Sequence, residues 1–387
     1  KSRVYGTANP VFSQEITGFL GSDTAASLSL STQSGTSSTT ALSNVGTYSI
    51  AGNITGYTHS VYEFVAGTGT LTITPRYLDL TIVGANKTYD GTTNAAVSVS
   101  YANPVNDGMQ VQTSATLDSK NVGTGRAVAI SGVTLTGAAA SNYVVNSYST
   151  RTTANVTQLA SATWVGGSSG EWYNPANWAP TTSLSSTGAV PDLSNVATVV
   201  LPANTTVSFN PANASGTAVA QPVTVSAIQG GGALTMANGA LTVSGNASLG
   251  GYQQTGGSLN VGGAMNVATR TGVSQTAGQL TVAGALDWKA DTTQNQDASL
   301  MGVNNWNGLT SFTGVNSGSW RNITFVADGS VNLGNVVATG KLDGTAGSSL
   351  NLNGTINVAS FDLTATAGNI TQGTNGTLTV TNGPSNL

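Results

Sequence analysis

Tyr252–Ala268 (YQQTGGSLNVGGAMNVA) and Val273–Lys289 (VSQTAGQLTVAGALDWK) carry one pattern written twice. At an offset of 21 residues Gln254 falls on Gln275, Thr255 on Thr276, Gly257 on Gly278 and Leu259 on Leu280, and Val261, Gly263 and Met265 fall on Val282, Gly284 and Leu286. An earlier copy, 18 residues back, sets Leu241, Val243, Gly245 and Leu249 under Leu259, Val261, Gly263 and Val267. A period of about 20 residues marks a solenoid. Within each period the apolar residues alternate, Leu-x-Val-x-Gly, which is the signature of a half-buried strand and not of a helix. Short strands closed by glycines, coil after coil, predict a parallel β-helix, with right-handed connections the expectation for parallel strands.

Composition agrees. Only 7% of the 387 residues are charged and 49 are glycine, so the charged helix formers are scarce while strand and turn residues abound. An all-β chain with almost no helix is expected. A net charge of −4 without a Lys/Arg cluster argues against a nucleic-acid partner. There is no apolar run long enough to span a membrane as a helix. Cysteine is absent, which removes disulfides and thiolate metal sites and suits export as an unfolded chain. The opening Lys1-Ser-Arg-Val-Tyr5 falls inside a motif, so the chain reads as a piece of something longer.

Residues 1–74 read as a small β-sandwich, with candidate strands at Val11–Ile16, Ala26–Leu30, Gly46–Ala51, Val61–Val65 and Gly69–Thr74. Residues 75–159 repeat the plan, with a strand at Leu78–Val83 followed by Lys87-Thr-Tyr-Asp-Gly-Thr92. RVYGTANPVFS, ITGFLGSDT, NVGTYSI and GTLTIT in the first segment resemble the Ig-like MBG module of bacterial surface adhesins. In the second, KTYDGT and DSKNVGTGRAVAISGVTLTGAAASNYVV resemble the related YDG module. Set side by side, the first module lacks a counterpart of Leu78–Val83. Either the sequence is cut there, or an edge stands open to strand addition from another chain.

At residues 160–195 the texture changes, and Trp164, Trp172 and Trp178 fall within 15 residues. Such a cluster can cap the apolar end of a solenoid or present aromatic faces to sugar rings. Residues 196–387 form the β-helix, roughly 10 coils and about 50 Å long at about 4.8 Å per coil, broken by an expected lateral insertion at 291–321. Phrases such as SLNLNGTINV and GNITQ resemble the filamentous-haemagglutinin-like exoproteins of two-partner secretion. That resemblance implies a secreted protein or one at the bacterial outer-membrane surface, serving adhesion or biofilm attachment, with partners on a host or matrix surface.

Chemistry is sparse. The single histidine, His59, lies in turn-like sequence, so a Ser-His-Asp triad and zinc sites lack their residues. Paired carboxylates for glycoside cleavage are not evident, since Asp287 aligns with Asn266. No enzyme activity and no cofactor are expected. Calcium is a minor candidate at Asp90-Gly91 and Asp107-Gly108, where Asx-turns explain the same residues. Sequons at Asn53, Asn86, Asn155, Asn204, Asn246, Asn322, Asn353 and Asn369 leave glycosylation open. If a ligand is bound, polysaccharide on Trp172, Trp178, Trp306 and Trp320 is the candidate. Neighbouring copies of the chain, joined by strand addition, are the other.

Overall fold

The computed structural model describes residues 1–213, 222–291, 296–383 and 385–386. Among these no α-helix forms, only three one-turn 3-10 segments, and the chain is all-β as its composition dictates. It divides into two compact units. The first holds residues 1–86, 93–119 and 125–155; the second holds 87–92, 120–124 and 156–387.

In the first unit, β1 (Ser2–Val4), β2 (Gly46–Ala51) and β3 (Thr68–Thr74) form a sheet in the order β1-β3-β2. β1 runs parallel to β3, with Arg3 opposite Ile73, and β2 runs antiparallel to it. After Pro75 comes β4 (Arg76–Gly84), then β5 (Lys87–Thr88), β6 (Val97–Ser100), β7 (Gln110–Leu117), β8 (Gly123–Thr136), β9 (Tyr143–Tyr148) and β10 (Arg151–Thr157). β4 is the central strand of a second sheet, antiparallel to β6 and parallel to β9. Its alternation sends Leu78, Leu80 and Ile82 inward, at 2%, 6% and 6% exposure. β7 and β8 pair antiparallel with a bulge at Ser114/Ala115.

Three expected strands of the first module carry no ladder. Residues 26–30 turn on themselves instead: the Thr24 and Ser27 hydroxyls bond each other's backbone, and Leu28 and Leu30 donate to Thr24 and Ala25. Residues 11–16 and 61–65 keep the alternation but have no strand beside them among the described residues, apart from an isolated bridge from Ser13 to Ser34.

In the second unit β5 pairs parallel with the end of β10, Lys87 opposite Val156. The chain then enters the solenoid. Leu159–Trp164 pairs antiparallel with Trp178–Pro180 and parallel with Val196–Leu201, and Ser169–Glu171 begins a nine-stranded ladder that ends with Ser360–Ala365. The repeat sets the register: Leu241, Leu259 and Leu280 stand on one another, as do Val243, Val261 and Val282. Leu259, Val261, Met265, Val267, Leu280, Val282 and Leu286 are all buried.

The insertion expected at 291–321 is instead a coil; its part at 292–295 lies outside the described residues. Gln296–Leu300, Val303–Trp306 and Leu309–Gly314 continue the three ladders, with Trp306 stacked on Val282 and Phe312 on Trp288. The inward positions are filled by Asn304, Trp306 and Phe312 where earlier coils use Leu and Val, so the pattern persists while the letters change.

Candidate functional site

The four tryptophans named as sugar contacts are interior. Trp172, Trp178 and Trp320 are 0% exposed and Trp306 is 1% exposed, so none offers a face to a sugar ring. These rings point into the interior although their sequence neighbours are polar. Trp172 and Trp178 pack edge to face at 5.0 Å, and Trp164 meets Trp178 at 5.3 Å. Here every indole N–H has an acceptor: Gly167 for Trp164, Pro191 for Trp172 and Trp172 for Trp178. Deeper in the solenoid the N–H groups of Trp288, Trp306 and Trp320 have none among the described residues. Trp172→Phe is therefore expected to cost about 2–3 kcal/mol, and Trp306→Phe about 1 kcal/mol or less because an unpaired buried donor leaves with it. Chemical denaturation of the two variants checks the order.

Among the described residues the carboxylates form no cluster of three. Asp343 and Asp362 are register partners on adjacent coils, but Lys341 Nζ lies 2.8 Å and 3.4 Å from them and all three are half-exposed. That is a surface ion-pair ladder. Among the described residues no three His, Asp or Glu side chains cluster as metal ligands, and Asp90 and Asp107 each close an Asx-turn, onto Thr92 N and Met109 N.

What the structure does assemble is a polar joint, and it assembles it twice. In the second unit Tyr89, 1% exposed, donates its hydroxyl to Val190 O (2.9 Å) and Asp192 Oδ1 (3.0 Å). Lys120 Nζ reaches Asp192 Oδ2 at 2.6 Å, and Asn195 Nδ2 donates to Asp192 Oδ1 at 2.7 Å. Asn195 also grips the Asn121-Val122-Gly123 loop, donating to Asn121 Oδ1 (2.9 Å) and accepting from Val122 N (2.8 Å). Burial first, then the Asp192 charge, push the Tyr89 hydroxyl far above its ordinary range, so it remains a donor.

In the first unit the same parts recur. Tyr5, 2% exposed, meets the Tyr143 ring edge-on at 5.4 Å, and its hydroxyl lies against Asp107 and Asn142. Tyr143 donates to Asp107 Oδ2 at 2.6 Å. Asn142 holds the Asn44-Val45-Gly46 loop as Asn195 holds its counterpart: Asn142 Nδ2 to Asn44 Oδ1 at 3.0 Å, Val45 N to Asn142 Oδ1 at 2.8 Å. Each joint thus takes a tyrosine and an Asn-Val-Gly loop from one module and an aspartate and an asparagine from the segment after it.

Glycine is required beside each tyrosine. Gly6 and Gly91 have φ of +82° and +80°, and a Cβ on Gly91 would run into the Gly188 carbonyl oxygen. Gly91→Ala is expected to cost about 2 kcal/mol or more through strain at that joint, read as lost hydrogen-exchange protection in residues 87–92 and 120–124.

Asp107 gives the first joint a pH dependence. Burial alone would raise its pKa, but hydrogen bonds from Tyr143, Met109 N–H and Tyr5 outweigh this and hold it below the ordinary carboxylate range. A depressed carboxylate stabilises above its unfolded pKa, and the contribution is lost as pH falls through the folded value. The first unit should therefore weaken below about pH 4, and less so in Asp107→Asn, in denaturant titrations run at descending pH.

The tyrosine, its glycine and the Asn-Val-Gly loops were visible in the sequence, whereas their partners Asp107, Asn142, Asp192 and Asn195 were not recognised as such. No curated protein and no solved structure matches the chain. The Tyr-Gly and Tyr-Asp-Gly signatures at the two joints nevertheless lie within matches to an MBG domain (YGX type) over residues 1–72 and a YDG domain over residues 74–154, a pair of modules that fits a bacterial adhesin-like protein.

Proposed function

We propose that this chain is a structural stalk segment of a large secreted or cell-surface bacterial exoprotein of the filamentous-haemagglutinin-like, two-partner-secretion type, serving adhesion or biofilm matrix attachment without catalysis of its own. The repeated joint supports this reading most directly. A protein that spends two buried Tyr–Asp–Asn networks on linking one module to the next is organised to transmit position and load. The solenoid suits the same work, since each coil rests on its neighbours through strand pairing and an inward Leu/Val/Trp core. Host or matrix surfaces are the proposed partners of the parent protein, with nucleic acid and membrane spanning outside the reading; no helix among the described residues is long and apolar enough to cross a membrane.

The test is a glycan array probed with the full 387-residue chain. A stalk segment is expected to retain no sugar. Saturable retention of one glycan class would move recognition onto this chain and overturn the spacer role.

A further inference from the structure

We infer that the first module carries a slot for one β-strand, and that the slot takes the strand leading out of another module of the same kind. The second module supplies the template. There β4 is the central strand of its sheet, with β6 antiparallel on one side (Ile82 opposite Val99) and β9 parallel on the other (Leu78 opposite Val145). The flanks of that place exist in the first module. Tyr5-Gly6 superposes on Tyr89-Asp90-Gly91, which carries Phe12–Glu15 onto β6. Tyr62 donates to Asp23 Oδ2 at 2.7 Å as Tyr143 of β9 donates to Asp107 Oδ2 at 2.6 Å, which carries Tyr62–Val65 onto β9.

Both flanks alternate like strands, and neither has a ladder. Between them lies an open groove of about 490 Å³, lined on its apolar side by Phe12, Ile16, Ile50, Ile54, Tyr57 and Phe64. Val65 stands 84% exposed at its margin, and Val61, on the same segment, is 70% exposed. In the second module Leu78, Leu80 and Ile82 of β4 fill the equivalent space, so the occupant that fits is an extended strand of the form Leu-x-Leu-x-Ile, hydrogen-bonded on both edges.

The source follows from how the chain fills such places elsewhere. β4 follows the last strand of the first module with only Pro75 between, and Leu159–Trp164 follows the last strand of the second with only Gln158 between. Each then pairs in parallel with a strand that an asparagine clamp introduces, after Asn142 and after Asn195. A strand that directly continues the last strand of a neighbouring module is thus the form in which this chain delivers its central strands. The slot stands whether or not the chain serves as a stalk.

The probe is a labelled peptide with the sequence of Arg76–Gly84, added to the full chain and followed by fluorescence anisotropy and hydrogen exchange. Saturable binding is expected, with new protection confined to residues 11–16 and 61–65. A peptide with serine at the positions of Leu78, Leu80 and Ile82 should bind at least about tenfold more weakly. Equal binding of the serine peptide, protection elsewhere, or no binding overturns the slot. Concentration-dependent dimers of the peptide-free chain, with the same residues protected, would overturn the assigned source in favour of a second copy.

Discussion

Asp192→Ala is expected to destabilise the joint at the start of the solenoid by about 2–3 kcal/mol. The carboxylate collects three donors, Tyr89 Oη, Asn195 Nδ2 and Lys120 Nζ, with its side chain only 12% exposed. Loss of the carboxylate does not strand a buried charge, because Lys120 is 35% exposed and can turn to water; this keeps the cost below that of breaking a fully buried pair. Tyr89 retains Val190 O, and Asn195 retains the Asn121-Val122 loop. Asp192→Asn, which keeps an acceptor and loses the ion pair, should cost about half as much. Tyr89→Phe and Asp192→Ala share a hydrogen bond, so their effects should fall short of additive by about 1 kcal/mol in a double-mutant cycle. The whole chain is not expected to melt as one unit, so the informative measurement is local hydrogen exchange at residues 87–92, 120–124 and 192–196. Full additivity, with protection unchanged, would mean that Tyr89 and Asp192 are neighbours and not partners.

Register was legible wherever a coil repeated its letters, because alternation with period two and glycine at the corners is a direct imprint of strand and turn geometry. Trp306 and Trp320 sit in Asn/Gly-rich sequence and read as exposed; in a narrow coil every second residue points inward, however polar its neighbours. The same substitution of large rings for Leu and Val concealed the coil at 296–314. Residues 11–16 and 61–65 failed differently. Their alternation is real, but a strand is a property of a pair, and no neighbour among the described residues completes them. The joints were the least legible feature, since Tyr89 and Asp192 are 103 residues apart and Asp107 satisfies a local Asx-turn as well as its distant partner. A short-range reason for a residue hides a long-range one.

Gln275→Ala is expected to have a larger effect than any joint substitution, about 3–5 kcal/mol. Gln254 and Gln275 repeat at the same place in successive coils, and the structure shows why. They stand on one another inside the solenoid, each 0% exposed, and form a buried amide ladder. Gln275 Nε2 donates to Gln254 Oε1 at 3.0 Å, while its Oε1 accepts from Asn304 Nδ2 at 2.8 Å and from Gly302 N at 3.2 Å. Gln254 in turn bonds the carbonyls of Gly256, Gly257 and Gln279 and accepts from Tyr252. Alanine would leave a cavity and an unpaired Gly302 N–H in a buried interior, where both costs are high. Gln275→Leu fills the space but still strands the Gly302 N–H, and should recover no more than about half the loss. The matching control is the surface ladder in which Asn351 Nδ2 donates to Asn332 Oδ1 and Asn351 Oδ1 accepts from Thr371 Oγ1. Water replaces those bonds, so Asn351→Ala should cost under about 1 kcal/mol. Because a solenoid couples only nearest neighbours, weakening the coil at Gln275 should also divide the unfolding transition, with coils on the two sides losing protection at different denaturant concentrations. A single undivided transition in Gln275→Ala, shifted no further than that of Asn351→Ala, would show that the ladder adds nothing beyond packing.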